Sequence, residues 1–230
     1  MIFISKTTWV QRTKPHVFIK HIVLYEGETL PPVSSDCFYE YIWAANGVFV
    51  RSERDGLYAI LPVAQCIGEN KINGLGLALP EVRLAQRVNL VLTGQMLSVC
   101  QDAMPDECMM WLGYSNGGYQ LTVPEQDAEK MRVRPALPFQ KEGAEALVDL
   151  HSHNAMMPVF SGTDDQDETG FRIFAVVGWL DSRPAIMVRV GVFGHFAILN
   201  ARKVFELPDW IEDMAAQERA VRKDGLLCLE

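Results

Sequence analysis

Basic residues are in short supply in this sequence. Lysine and arginine number 21 against 29 aspartates and glutamates, a formal net charge of -8. Binding phosphate backbones needs a concentrated Lys/Arg face, so the balance disfavours nucleic acid as the main partner, and no direct nucleic-acid contact is expected. Long apolar runs are also missing. The best stretches, such as Phe174 to Leu180, fall far short of the roughly 20 residues a membrane span needs. The start, Met1-Ile-Phe-Ile-Ser-Lys, lacks the basic, apolar and small-residue order of a signal peptide. Cysteines number five (Cys37, Cys66, Cys100, Cys108, Cys228), are widely spaced, and form no Cys-x-x-Cys. That pattern implies reduced thiols and a cytoplasmic location, not a disulfide framework. There are no internal repeats and no low-complexity linker.

What is present is ordinary globular material. The chain has 230 residues, 49% of them hydrophobic and 22% charged, enough for one large domain or a domain with a small appendage. The first 80 or so residues read as β-rich. His16 to Leu24 is expected to be a strand. Gly47 to Arg51 and Leu57 to Val63 are expected to pair around Arg54-Asp55-Gly56, because Asp-Gly favours turns with φ > 0. Pro80 to Gln101 reads as a helix, with Pro80 in its first turn, Glu81 at the positive dipole end and an apolar stripe from Leu84 to Cys100. Met109 to Tyr114 and Tyr119 to Val123 flank an Asn116-Gly117 hairpin signal.

Pro124 to Gly143 is polar and proline-punctuated, and reads as a loop or mobile flap with a short strand near Met131 to Val133. Strands are expected at Ala146 to His151, Phe171 to Leu180, Ala185 to Val192 and His195 to Leu199. Asp209 to Arg222 reads as a final helix stopped by Gly225. The order implies a mixed α/β (α+β) fold. It divides into a β-rich region over 1–79, of unassigned role, and a second unit over 80–230.

The chemically informative stretch is Leu150-His151-Ser152-His153-Asn154, continuing to Phe160-Ser161-Gly162-Thr163-Asp164. On a strand, positions i and i+2 share a face, so His151 and His153 can converge on one ion. Asp164 can add a carboxylate. Two histidines and one carboxylate, with a fourth position left to water, make up a catalytic zinc site. Ser161 precedes Asp164 by three residues, a capping-box spacing for a short helix ended by Gly170. Such a site also needs a base, because zinc acidifies its water and a nearby carboxylate must take the proton. Glu107, after Met104-Pro105-Asp106, is the candidate. At average residue usage, the ordered set His-x-His, seven residues, Ser-x-x-Asp arises by chance in roughly one chain of this length in a few thousand.

The pattern Pro-x-Glu, a long gap, His-x-His, seven residues, Ser-x-x-Asp resembles the JAMM (MPN-plus) signature of JAB-domain metallopeptidases, which include deubiquitinases. The resemblance covers Glu81 to Leu199. It implies a central mixed β-sheet flanked by helices and a bound Zn2+. By the same resemblance His151, His153 and Asp164 are metal ligands, Glu107 is the general base and Ser161 stabilises the oxyanion. It also implies a ubiquitin-like protein or its conjugate as substrate. The overall layout further resembles the A components of PRTRC cassettes, plasmid and mobile-element systems, which implies ThiF-like and other cassette proteins as partners. Two positions depart from the signature: Asn154 stands where a proline is usual, and Met110 where a glycine is frequent. Both bear on loop shape and substrate preference more than on the ligands.

Other readings compete. A catalytically silent JAB-fold scaffold in a plasmid-maintenance complex would share the fold. Asp149-Leu150-His151-Ser152-His153 also resembles the opening of PHP phosphoesterases and amidohydrolases, but those need several more histidines and only His195 follows. Zinc deaminases are excluded, since no Pro-Cys-x-x-Cys is present. Asp165, Asp167 and Glu168 read as a solvated acidic face, with Asp167 as a reserve ligand. Cys108 reads as a small buried residue and His195 as structural. His16 and His21 show no partners, and Trp43, Trp111 and Trp179 read as core.

Overall fold

A computed structural model describes residues 19–66, 71–137, 140–215 and 228–229. Two sheets dominate. The first has the order β1 (Lys20–Val23), β2 (Glu40–Ala44), β3 (Gly47–Arg54), β4 (Leu57–Gln65), β5 (Glu81–Leu84). Its first pair is parallel and the rest antiparallel. The hairpin expected around Asp55-Gly56 joins β3 to β4, with Gly56 at φ +81°. Of the strand expected over His16 to Leu24, residues 16–18 lie outside the described residues, and β1 supplies the remainder.

The second sheet uses β6 (Met109–Ser115), β7 (Gly118–Thr122), β10 (Ala146–Ser152), β11 (Phe171–Gly178), β12 (Ala185–Val192), β13 (His195–Leu199), β14 (Glu212–Asp213) and β15 (Cys228–Leu229). Its order is β15-β13-β12-β11-β10-β6-β7, with β14 beside β12. The β10–β11 pair is parallel and both of its outer neighbours are antiparallel, so the sheet is mixed as expected. Asn116 and Gly117 turn β6 into β7 with φ of +51° and +73°, the two positive values a tight hairpin turn demands.

Three sequence readings are corrected. The helix expected from Pro80 begins later: α1 is Leu90–Ala103, capped by the Asn89 side chain accepting from the Leu92 N–H. Glu81–Leu84 is instead strand β5. Its alternation puts Val82 and Leu84 on the core and Arg83 over the Tyr58 ring, a two-residue period that overrode the helical stripe. The segment Pro124 to Gly143 is not mostly loop. It holds a hairpin of β8 (Gln126–Glu129) and β9 (Arg132–Pro135), the latter overlapping the short strand expected near Met131 to Val133, followed by the short helix α2 (Lys141–Glu145). The final helix is also corrected at its start. Glu212 and Asp213 pair in parallel with Ala185 and Ile186 of β12 as β14, while 216–227 lie outside the described residues.

The main core lies between the sheets. Val50, Leu57, Ala59 and Leu61 from the first sheet meet Met96, Leu97 and Cys100 from α1 and Val148, Leu150, Ile173, Ala175, Val188 and Val190 from the second. The opposite face of the second sheet carries a smaller cluster of Met187, Ile198 and Met214 with Phe160 and Trp179 against it. That face also carries His151. Trp111 is buried as expected, but Trp43 is 45% exposed, its indole N–H on His21 Nδ1 at 3.2 Å. His21 therefore has a partner, and His16 lies outside the described residues. Among the described residues no helix is long and apolar enough to cross a membrane.

Candidate metal centre

The site forms where β10 ends. His151 is its penultimate residue, paired with Met109 of β6 and Val176 of β11. The strand's hydrogen bonding then continues one step past its last residue, as His153 N–H donates to Val177 O at 2.7 Å. The two histidines thus leave the sheet on one face, and their Nε2 atoms lie 3.2 Å apart. Asp164 enters from α3 (Gly162–Asp167). One ligand atom from each of His151, His153 and Asp164 lies within 4.8 Å of the others.

Local hydrogen bonding sets the free lone pairs. His153 Nδ1 faces the Met157 carbonyl at 3.2 Å. A carbonyl only accepts, so Nδ1 carries a proton, and in the neutral ring Nε2 is then the nitrogen with the lone pair. Asp164 Oδ2 accepts from the Ser161 N–H while Ser161 Oγ accepts from the Asp164 N–H, the reciprocal capping box expected from the spacing. The other carboxylate oxygen, Oδ1, faces His151 Nε2 at 3.4 Å. Burial lowers the His151 pKa to about 4, helped by His153 and Arg189 and opposed by Asp164, so this imidazole is neutral at neutral pH. Two imidazole nitrogens and one carboxylate oxygen are the donor chemistry zinc takes. The residues fit the metal.

Glu107 is 5% exposed and close enough to Asp164 for their charges to interact. Burial pushes its pKa up to about 7, and the charges of Asp164 and Cys108 add to the effect. Its backbone N–H donates to Glu129 O at 2.9 Å, at the end of β8. Cys108, the next residue, is buried in the main core as expected. Its N–H donates to Ser152 Oγ and its carbonyl accepts from Ser152 N–H, at 2.9 and 2.8 Å. Ser152, between the two histidines, therefore ties the Glu107 segment to the histidine strand. Sequence reasoning passed over it, because a serine of opposite strand parity reads as core.

Asn154, the departure from the signature, has φ +49° and is buried. Its Nδ2 donates to Pro105 O and Lys130 O, at 2.9 and 3.2 Å. One amide thus joins the loop before Glu107 to the β8–β9 turn. The acidic residues after Asp164 are corrected in part. Asp167 is exposed and lies outside the ligand cluster, but Asp165 and Glu168 bind Arg189 of β12, and Glu168 is not solvated. His195 bonds Tyr41 Oη at 3.0 Å and is not part of the ligand cluster, which weakens the amidohydrolase reading.

Two histidines from one strand end, a carboxylate from a short helix and a buried carboxyl beside them define a candidate mononuclear metal centre on a mixed sheet. A family comparison covers the segment that bears it. Residues 91–192 match the family model described as prokaryotic homologs of the JAB domain. The resemblance carried by the motif is borne out over that segment, which runs from α1 to the end of β12 and contains all five candidate residues. No curated protein matches the chain.

Proposed function

We propose that the chain is a zinc-dependent peptidase or isopeptidase that hydrolyses an amide bond at the tail or adduct of a ubiquitin-like protein. The observation that carries this reading is the buried Glu107, its carboxyl pushed up to a pKa of about 7 by burial and by the charge of Asp164, with His151, His153 and Asp164 placed to hold one ion. His151 Nε2, His153 Nε2 and Asp164 Oδ1 would hold the ion. Bound zinc supplies Lewis acidity toward a carbonyl oxygen and lowers the pKa of water. Glu107 takes the proton of the attacking water on its carboxylate and passes it to the leaving nitrogen. Ser161 Oγ spends a lone pair on the Asp164 N–H, which leaves its O–H free to donate to the oxyanion. The substrate class and the ThiF-like and other cassette partners follow from the family resemblance.

The test has two arms. Elemental analysis of the wild type should find about one zinc per chain, lost in a folded His153→Ala variant. Hydrolysis of a ubiquitin-like adduct should fall by about 10²–10⁴-fold in Glu107→Gln while zinc stays bound. Unchanged turnover in that variant would remove Glu107 from the mechanism. A zinc-loaded wild type that forms a stable partner complex but turns over no adduct would favour the scaffold reading.

A further inference from the structure

Helix α3 is too short to place itself. It has six residues, and none of them is buried. A helix of that length has no independent stability in water, yet it aims Asp164 at His151. Something outside the helix must fix it. The capping box joins Ser161 to Asp164 only, and so cannot anchor the segment to the sheet.

Arg189 can. It lies on β12, on the sheet face that bears His151, and is 4% exposed. Its Nε and Nη2 donate to Glu168 Oε2 at 2.8 and 2.5 Å, and its Nη1 donates to Asp165 Oδ1 at 2.5 Å. The guanidinium also lies 4.0 Å from the Phe160 ring centroid and 3.9 Å from that of Phe196. Gly191, two residues along the strand, makes room for this stack. A Cβ there would meet Phe174 Cε2 at 2.6 Å and Phe196 Cε1 at 3.0 Å. One guanidinium thus grips the segment at Phe160, Asp165 and Glu168, on both sides of Asp164. Arginine suits this task because its planar fork bonds two carboxylates while its faces stack on rings.

We propose that Arg189 is a positioning residue for the metal centre, holding α3 on the sheet so that Asp164 completes the ligand set. The inference rests on the zinc reading given above. It does not touch the ion or the reacting atoms.

Removing Arg189 alone would leave the buried Glu168 carboxyl without its partner and can unfold the chain. The deciding variant is therefore the double change Arg189→Met with Glu168→Gln, beside Arg189→Met. Folding is checked by circular dichroism and cooperative unfolding. Two readouts follow. In metal-free protein, hydrogen exchange of the amides over 161–168 should quicken in the double variant while the β10 and β11 amides stay protected. In competition with a chelating dye, zinc affinity should fall about 10–100-fold, as when a group orienting a metal ligand is lost. Cobalt substituted for zinc should show altered visible bands, reporting a changed ligand set. Zinc bound equally by wild type and the folded double variant would overturn the inference alone. Quicker exchange with unchanged zinc affinity would also overturn it, leaving Arg189 a purely structural role. A wild type that binds no zinc would overturn the metal reading, and this inference with it.

Discussion

At the scale of single residues, the candidate centre keeps a buried carboxyl at an energetic cost. Glu107 has a pKa of about 7, against 4.5 for an ordinary glutamate, chiefly because it is buried. A carboxyl whose folded pKa is raised favours folding when protonated. Its ionisation therefore costs stability as pH rises from the unfolded value through the folded one. In metal-free protein, Glu107→Gln should match the wild type near pH 4 and be more stable than it at pH 8, by about 1–3 kcal/mol. Urea unfolding at the two pH values checks this. An equal stability difference at both would place the effect in packing, not charge. The same residues show what a sequence can disclose. His151, His153, Ser161 and Asp164 were legible because strand parity and capping geometry are local, set within three residues. Arg189 was not, because its carboxylate partners lie 21 and 24 positions away. Ser152 was illegible for another reason, since its partner at Cys108 is brought alongside only by strand pairing.

At the scale of elements, the β8–β9 hairpin belongs to the centre's frame. Three bonds tie it to the Glu107 segment and to Asn154: Glu107 N–H to Glu129 O, Met109 N–H to Gln126 Oε1, and Asn154 Nδ2 to Lys130 O. A polar, proline-punctuated stretch gave little periodicity, so only a short strand near Met131 to Val133 was expected and the rest read as loop. The asparagine explains the departure from the signature. At φ +49° a proline, fixed near −65°, cannot occupy this position, whereas asparagine tolerates it. Asn154→Pro, which restores the residue usual in the signature, should therefore destabilise the protein by ~2 kcal/mol or more. Asn154→Gly keeps the backbone conformation and removes both side-chain bonds. It should cost about 1–2 kcal/mol, leave zinc content unchanged, and quicken hydrogen exchange over 126–135. A proline variant as stable as the wild type would mean that the loop follows a different path.

At the scale of the whole molecule, the first sheet is more than an appendage in its contacts. Sequence composition separated a β-rich start from the motif-bearing remainder, and could not show that the two share one core. Val50, Leu57, Ala59 and Leu61 pack into the cluster that holds α1 and the inner face of the second sheet. Arg54, at the end of β3, donates to Ala146 O and Phe171 O, both at 3.1 Å, and to Glu145 O at 2.8 Å. Those carbonyls lie where β10, which carries His151, and its neighbour β11 begin. Burial of Arg54 lowers its pKa, with Arg172 adding to the effect, and charge-assisted bonds to three carbonyls offset the cost of placing a cation there. Two consequences separate this arrangement from that of two independent domains. Thermal unfolding of the full chain should be a single cooperative transition, and a chain of 80–230 alone should fail to show one, because it exposes the apolar surface that β3 and β4 cover. Arg54→Met should lower the single transition by several degrees, since it strips donors from three carbonyls at once. Two resolved transitions in the full chain, or a folded zinc-binding 80–230 fragment, would show that the metal centre needs only its own sheet. A single transition lost on truncation would mean that the first sheet is part of what holds the histidine strand in place.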